Sequence, residues 1–197
     1  MARLDPLPPE TSPELREQFD SFNKTLGFVP NSVLTMQRKP RLVKAFVEMQ
    51  RAIWDPDSKV DRGFKRIIAH VASRTAADAY GMAHTASGAL HFGIDEKKLA
   101  AAPNYQSSPL YDAAEKAALD LAAAASASPN AVTDAMFDRL RAHWSDEQIV
   151  EIVAAIAMAG FLARWNTTMA TPLEPEPLSV GNQHLAPLGW TPGVHQP

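Results

Sequence analysis

The sequence predicts an all-α fold, a helical bundle with extended proline-rich N- and C-terminal arms, and three observations carry that reading. No stretch alternates apolar and polar residues among β-branched side chains between turn signals, so no strand is predicted. Apolar residues recur instead at helical spacing, as in Ile149, Ile152, Val153, Ile156, Gly160 and Ala163. Small residues crowd several stretches (Ala122 to Ala125, Ala154-Ala155, Ala157 to Gly160), which lets helix axes approach closely.

Taken in order, Ser12-Pro13, Ser108-Pro109 and Ser128-Pro129 each place a capping hydroxyl before a proline at a first helical position. Each predicts a helix start. Asp61 is placed to cap a helix with the apolar stripe Phe64, Ile67, Ile68, Val71 and Ala72. A second helix runs from about Asp78 to His91, where Gly93 stops it, and the two form an antiparallel hairpin. Ser145 followed by Gln148 is a capping box that opens the helix carrying the Ile149 stripe. Prolines cluster at Pro6, Pro8 and Pro9 and recur from Pro172 to Pro197. The expected division is therefore one helical domain over 1–171 and an extended arm over 172–197. The arm keeps Leu178, Val180, Leu185, Leu188 and Trp190, which predicts that it lies across its own or a neighbouring subunit; the alternative is a frayed tail.

Composition narrows the function. The chain has 197 residues, 46% hydrophobic and 21% charged, with a formal net charge of −3, which is the balance of a soluble globular protein. There is no broad basic field to attract nucleic acid. The start, Met1 to Pro6, lacks the apolar run of a secretory signal, and the uncharged stretch Ile152 to Ala163 is too short to cross a bilayer. A cytoplasmic protein without a membrane partner is the expectation. Cysteine is absent from the whole chain, which excludes disulfides, thiolate zinc sites and any reaction begun by a thiol of the chain. Phosphate loops, dinucleotide fingerprints and nucleophile elbows are missing too, so no cofactor is expected.

The residues able to carry chemistry gather on the second helix of the hairpin. Tyr80, His84, Ser87 and His91 fall at i, i+4, i+7 and i+11 and share a polar stripe, opposite Ala79, Met82, Ala83, Ala86 and Leu90. An imidazole trades a proton near neutral pH, and a phenol donates to a developing oxyanion. Lys65 is a candidate for attracting an anionic substrate. His84 and His91 stand two turns apart rather than at i, i+4, and no Glu-x-x-His motif accompanies them, so no metal site is expected. His70 shares a stripe with Arg66, Ser73 and Arg74, read as a surface or subunit-contact face. Near the end of the last helix, Trp165 is assigned to the core, and Arg164 and Asn166 to anion contact or, preferably, an interface.

The stretch from Lys65 to His84 resembles the carboxymuconolactone decarboxylase and alkyl hydroperoxidase D-like family. Redox members of that family carry Glu, then Cys-x-x-Cys, then His four residues after the second cysteine; here the positions read Lys65, Ala77, Tyr80 and His84. The similarity is densest from Asp61 to Gly93 and looser from Leu26 to Asn166. It implies an all-α fold, assembly as a dimer, trimer or hexamer, and an active site near subunit contacts. The family includes members that are not thiol peroxidases, among them the decarboxylase that names it, and a cysteine-free chain sits beside those. Two functions stay open. One is a thiol-independent small-molecule enzyme of the lyase or isomerase type, with His84 as general acid or base, Tyr80 as hydrogen-bond donor, Lys65 as electrostatic helper and a ligand such as a carboxylate. The other is a non-catalytic binding or assembly module on the same fold. The first expects a solvent-connected pocket at His84; the second expects the site filled.

Overall fold

A computed structural model describes residues 2–197. Among them are ten α-helices and no strand. Helices α1 (Arg16–Leu26), α2 (Asn31–Met36) and α3 (Pro40–Ile53) bury Leu15, Phe19, Val33, Val43 and Phe46 in a small N-terminal core. Gly27, at φ 82, closes α1 in the left-handed conformation that glycine adopts without strain. The larger core centres on a hairpin, α4 (Arg62–Thr75) and α5 (Ala79–His91). The Asp61 carboxylate caps α4 by accepting the Phe64 N–H at 2.7 Å. Beyond it follow α6 (Glu96–Ala100), α7 (Ala113–Ser126), α8 (Asp134–Arg141) and α9 (Asp146–Met169). Helix α4 packs on α5, α7 and α9, and the alanines of α5 and α7 let these axes come close. Burial of Ile67, Ile68, Leu119, Leu121 and Ile152 supplies the main driving force.

The capping box at Ser145 forms as expected, with Ser145 and Gln148 bonding each other's backbone N–H at 3.3 and 3.0 Å. The three Ser-Pro starts fare differently. Pro13 opens only a 3-10 turn before α1. No helix begins at Pro109; α7 starts at Ala113, where Asp112 and Glu115 form a capping box. Pro129 follows a cis peptide bond, and α8 waits for the Thr133 hydroxyl to accept the Met136 N–H. Proline presets one dihedral, but a helix begins where the exposed N–H groups find acceptors.

His70 and Ser73, expected on a surface, are each 1% exposed. Helix α5 lies across that face, and His70 Nδ1 sits 3.1 Å from both the Met82 carbonyl and the Thr85 hydroxyl. Burial, aided by the Arg74 charge and opposed by the Met82 contact, pushes the His70 imidazole down to about 4, so it stays neutral.

The uncharged run at Ile152 proves to be the middle of a longer helix. The 24 residues of α9 are long and apolar enough to cross a bilayer by length and composition. In the bundle their inner face is taken by α4, α5 and α7, while Val150 and Val153 lie exposed.

The C-terminal arm lies across its own subunit. Ala170 ends α9 at φ 49, a left-handed turn that reverses the chain. The arm then forms α10 (Pro175–Val180) and a π-helical turn at Gly181–Leu185, and folds Trp190 and Leu185 into the main core. Trp190 donates its Nε1–H to the Ala79 carbonyl at 3.1 Å. Gly181 is required beneath its ring, since a Cβ there would come within 2.5 Å of the indole.

Candidate active site

Tyr80 and His84 project from successive turns of α5 with their rings stacked, centroids 4.3 Å apart. The chain's return after α9 brings a third group to them. The Glu174 carboxylate accepts the Tyr80 hydroxyl at 2.7 Å through Oε1 and meets His84 Nε2 at 2.7 Å through Oε2. The backbone N–H of Asn31, at the start of α2, also donates to Glu174 Oε1. Local structure fixes Glu174 in this position. Pro175 keeps it extended at ψ 157 as the N-cap of α10, Leu173 N–H bonds the His195 carbonyl, and the Asn31 amide bonds the Pro172 carbonyl at 3.0 Å. Burial alone would raise the Glu174 carboxyl. The adjacent His84 ring, the Asn31 N–H and the Tyr80 hydroxyl outweigh it and hold the carboxyl below the usual carboxylate range. Burial, reinforced by the Glu174 charge, drives the Tyr80 phenol well above its ordinary value.

Tyr80 is 3% exposed, whereas 20% of the His84 side chain is open. His84 borders a cavity of about 580 Å³ with apolar walls that include Phe22, Phe28 and Leu162. Phe28 meets the His84 ring edge-on at 6.0 Å. Because Nε2 faces a carboxylate, the hydrogen-bond network assigns it the proton and leaves the Nδ1 lone pair as the basic position. A buried carboxylate of this kind fixes the tautomer and orientation of an imidazole.

Lys65 does not join this group. It is wholly buried elsewhere, its ammonium bonded to the Ile53 carbonyl at 2.7 Å and the Ser58 hydroxyl at 2.5 Å, and 3.7 Å from Glu151. Burial lowers its pKa against the pull of Glu151. Among the described residues, the cavity has other cationic residues in its wall, Lys24, Arg51, Arg62 and Arg66, against the single carboxylate of Glu176. Asn166, expected at an interface, is 1% exposed inside the molecule and lines the cavity; neither atom of its amide has a hydrogen-bond partner among the described residues. Arg164 lies outside, bonded to the Gly160 carbonyl at 3.1 Å, and Trp165 is half-buried against Phe161. Among the described residues no three His, Asp or Glu side chains converge as a metal site would need.

The residue that sequence reasoning missed is Glu174, 90 positions from His84. Its one local signal is an acidic side chain set in the apolar, proline-rich run Pro172-Leu173-Glu174-Pro175, where a solvated carboxylate has little reason to stand.

Comparison with known proteins agrees with this architecture. The profile of the carboxymuconolactone decarboxylase family matches residues 40–124. Protein YnjA of Escherichia coli K12 is 38% identical over 77 residues, 39% of this chain and 42% of its own length, so the match spans less than half of that relative. The debrominase Bmp8, crystallised as a cysteine-to-alanine variant with 2,3,4-tribromopyrrole, is similar over 91% of this chain and 96% of its own, with 34% identity and a TM-score of 0.85. A peroxidase-related protein from Ralstonia eutropha JMP134 shares the fold at 23% identity, with a TM-score of 0.75 over 88% of this chain and 94% of its own. Profile, hairpin motif and near full-length likeness converge: the chain belongs to the carboxymuconolactone decarboxylase family.

Proposed function

We propose that this chain is a thiol-independent enzyme acting on small organic molecules, of the lyase or isomerase type, in which His84 takes up and returns a proton. The observation that carries this reading is the paired state of the imidazole: one nitrogen is held by buried Glu174, while the ring borders an open cavity. In the reaction, His84 Nδ1 removes a proton from a carbon made acidic by a neighbouring carbonyl. The imidazolium is stabilised by Glu174 and returns the proton at the same or an adjacent carbon. Tyr80 spends its hydroxyl on Glu174 and acts through it as a positioning residue. Lys65, saturated by its own partners, supports the fold.

The cavity beside His84 supports this reading over a sealed assembly module. Debromination is the activity of the relative Bmp8, which was studied as a cysteine variant; with no cysteine here, thiol-led dehalogenation or peroxide reduction is not proposed. We further propose a cytoplasmic homo-oligomer; the exposed Val150 and Val153 of α9 are the apolar surface that an assembly would cover. Light scattering reads the assembly; a monomer at all concentrations removes that part. The central test is His84→Ala against a panel of carboxy-lactones and keto acids. A fall of about 10²- to 10⁴-fold is expected. Unaltered turnover, or deuterium exchange into substrate that ignores the substitution, overturns the assignment.

A further inference from the structure

We propose that Arg62 and Arg66 form an anion subsite of the His84 cavity, which takes the carboxylate of a small organic acid with an apolar body. This deepens the proposed function and rests on the cavity being the substrate site. The two arginines stand at i and i+4 on α4, so their guanidiniums share one face, and both line the cavity. Aromatic rings hold them in place: Arg66 lies 3.8 Å from the centroid of Trp54, and Arg62 lies 4.3 Å from that of Phe92. A guanidinium stacked on a ring keeps its N–H edge free for a planar two-oxygen acceptor.

Among the described residues, no side chain neutralises this pair. Neither arginine has a carboxylate within 4.0 Å among the described residues, and the Nε of each is buried without a hydrogen-bond partner. Burial and the charge of Arg62 bring Arg66 down to about 10, the mark of a cation lacking its counterion. Glu176, the one carboxylate in the cavity wall among the described residues, is engaged by the Ser87 hydroxyl at 2.8 Å. Two neighbouring, partly desolvated cations are unfavourable by themselves, and a bound anion relieves both the repulsion and the unmade hydrogen bonds.

The placement also sets the distance to the chemistry. Gly88 makes room for Arg66 on α5, since a Cβ there would lie 3.0 Å from Arg66 Cδ. Gly88 is four residues after His84, a rise of about 6 Å along the helix. A carboxylate on Arg66 therefore leaves the carbons next to it within reach of His84. Asn166, buried with both amide atoms unbonded, offers a donor and an acceptor to a second polar group on the same ligand. The ligand class is thus an organic acid with an apolar body and one further carbonyl or hydroxyl.

Benzoate and its neutral counterpart benzamide test the subsite, titrated into the wild-type protein and followed by isothermal titration calorimetry. Benzoate is expected to bind at least about tenfold more tightly than benzamide, and Arg66→Gln and Arg62→Gln should each erase about tenfold of benzoate affinity while shifting benzamide little. Equal affinity for the two probes, no benzoate binding, or benzoate binding that survives both substitutions overturns the proposal. Should Arg66→Gln fail to fold, Arg62→Gln carries the same test with Arg66 still on Trp54. The titration reads binding without turnover. Benzoate held by the arginines in a protein without His84-dependent chemistry would keep the subsite and sink the reaction.

Discussion

Two nitrogen–carboxylate pairs flank the same hairpin in different surroundings. At the start of α4, Lys65 has three oxygen partners (Ile53, Ser58 and Glu151) and no exposure, so its charge is fully answered by the protein. On α5, His84 has one nitrogen answered by Glu174, and its ring borders a cavity. Both residues occupy family motif positions, and both are far less solvated than an ordinary surface charge. Burial and an acidic partner therefore do not mark a reactive group. What separates the two is that the His84 ring borders open space and Lys65 does not, and the proposed function rests on that difference.

Four outcomes would break or sharpen that contrast. Lys65→Met should cost about 3 kcal/mol of stability, because Glu151 and the Ile53 carbonyl lose their cation. Denaturant unfolding reads this, and turnover per folded molecule should hold; loss of turnover with the fold intact would make the two clusters alike. Glu174→Gln should reverse the pattern, lowering turnover about 100-fold, or about 2.7 kcal/mol, with a folded protein by circular dichroism. Full activity would show that His84 needs no orienting carboxylate. Acid unfolding offers a third comparison. The Glu174 carboxyl is held below its unfolded value of about 4.3, so the stability it contributes is complete above that pH and is lost as pH falls through the lower folded value. Glu174→Gln should flatten the acid limb of the stability curve, and an unchanged limb would deny the depressed pKa. Tyr80→Phe is the smallest change, about 1 kcal/mol for one hydrogen bond to Glu174, with turnover reduced only severalfold. A collapse of activity there would restore Tyr80 to direct contact with substrate.

The parts of this molecule legible beforehand are those governed by neighbours in the chain. Asp61 caps α4 and Ser145 pairs with Gln148 because cap geometry involves residues three apart. Tyr80 and His84 meet because helical spacing requires it. The Ser-Pro starts misled where a nearby acceptor, Asp112 or Thr133, competed for the same N–H groups. The His70 stripe misled because polarity was read as exposure, whereas α5 covers that face and supplies the Met82 carbonyl and Thr85 hydroxyl. Arg66 reads with His70 as part of a surface or subunit-contact face, whereas in the fold it stacks on Trp54 and lines the cavity beside Arg62.

The sequence by itself determined the helical class, the hairpin, the family motif and the absence of sulfur chemistry, since each depends on composition or on spacing within a few turns. Tertiary structure alone decided which polar groups meet and which border the cavity. The left-handed turn at Ala170 and the docking of Trp190 bring Glu174 across 90 residues to His84, while the loop before α4 closes over Lys65. Contacts over that separation are chosen by packing of the whole core, and the energy that selects them is shared among many side chains rather than written in any one segment.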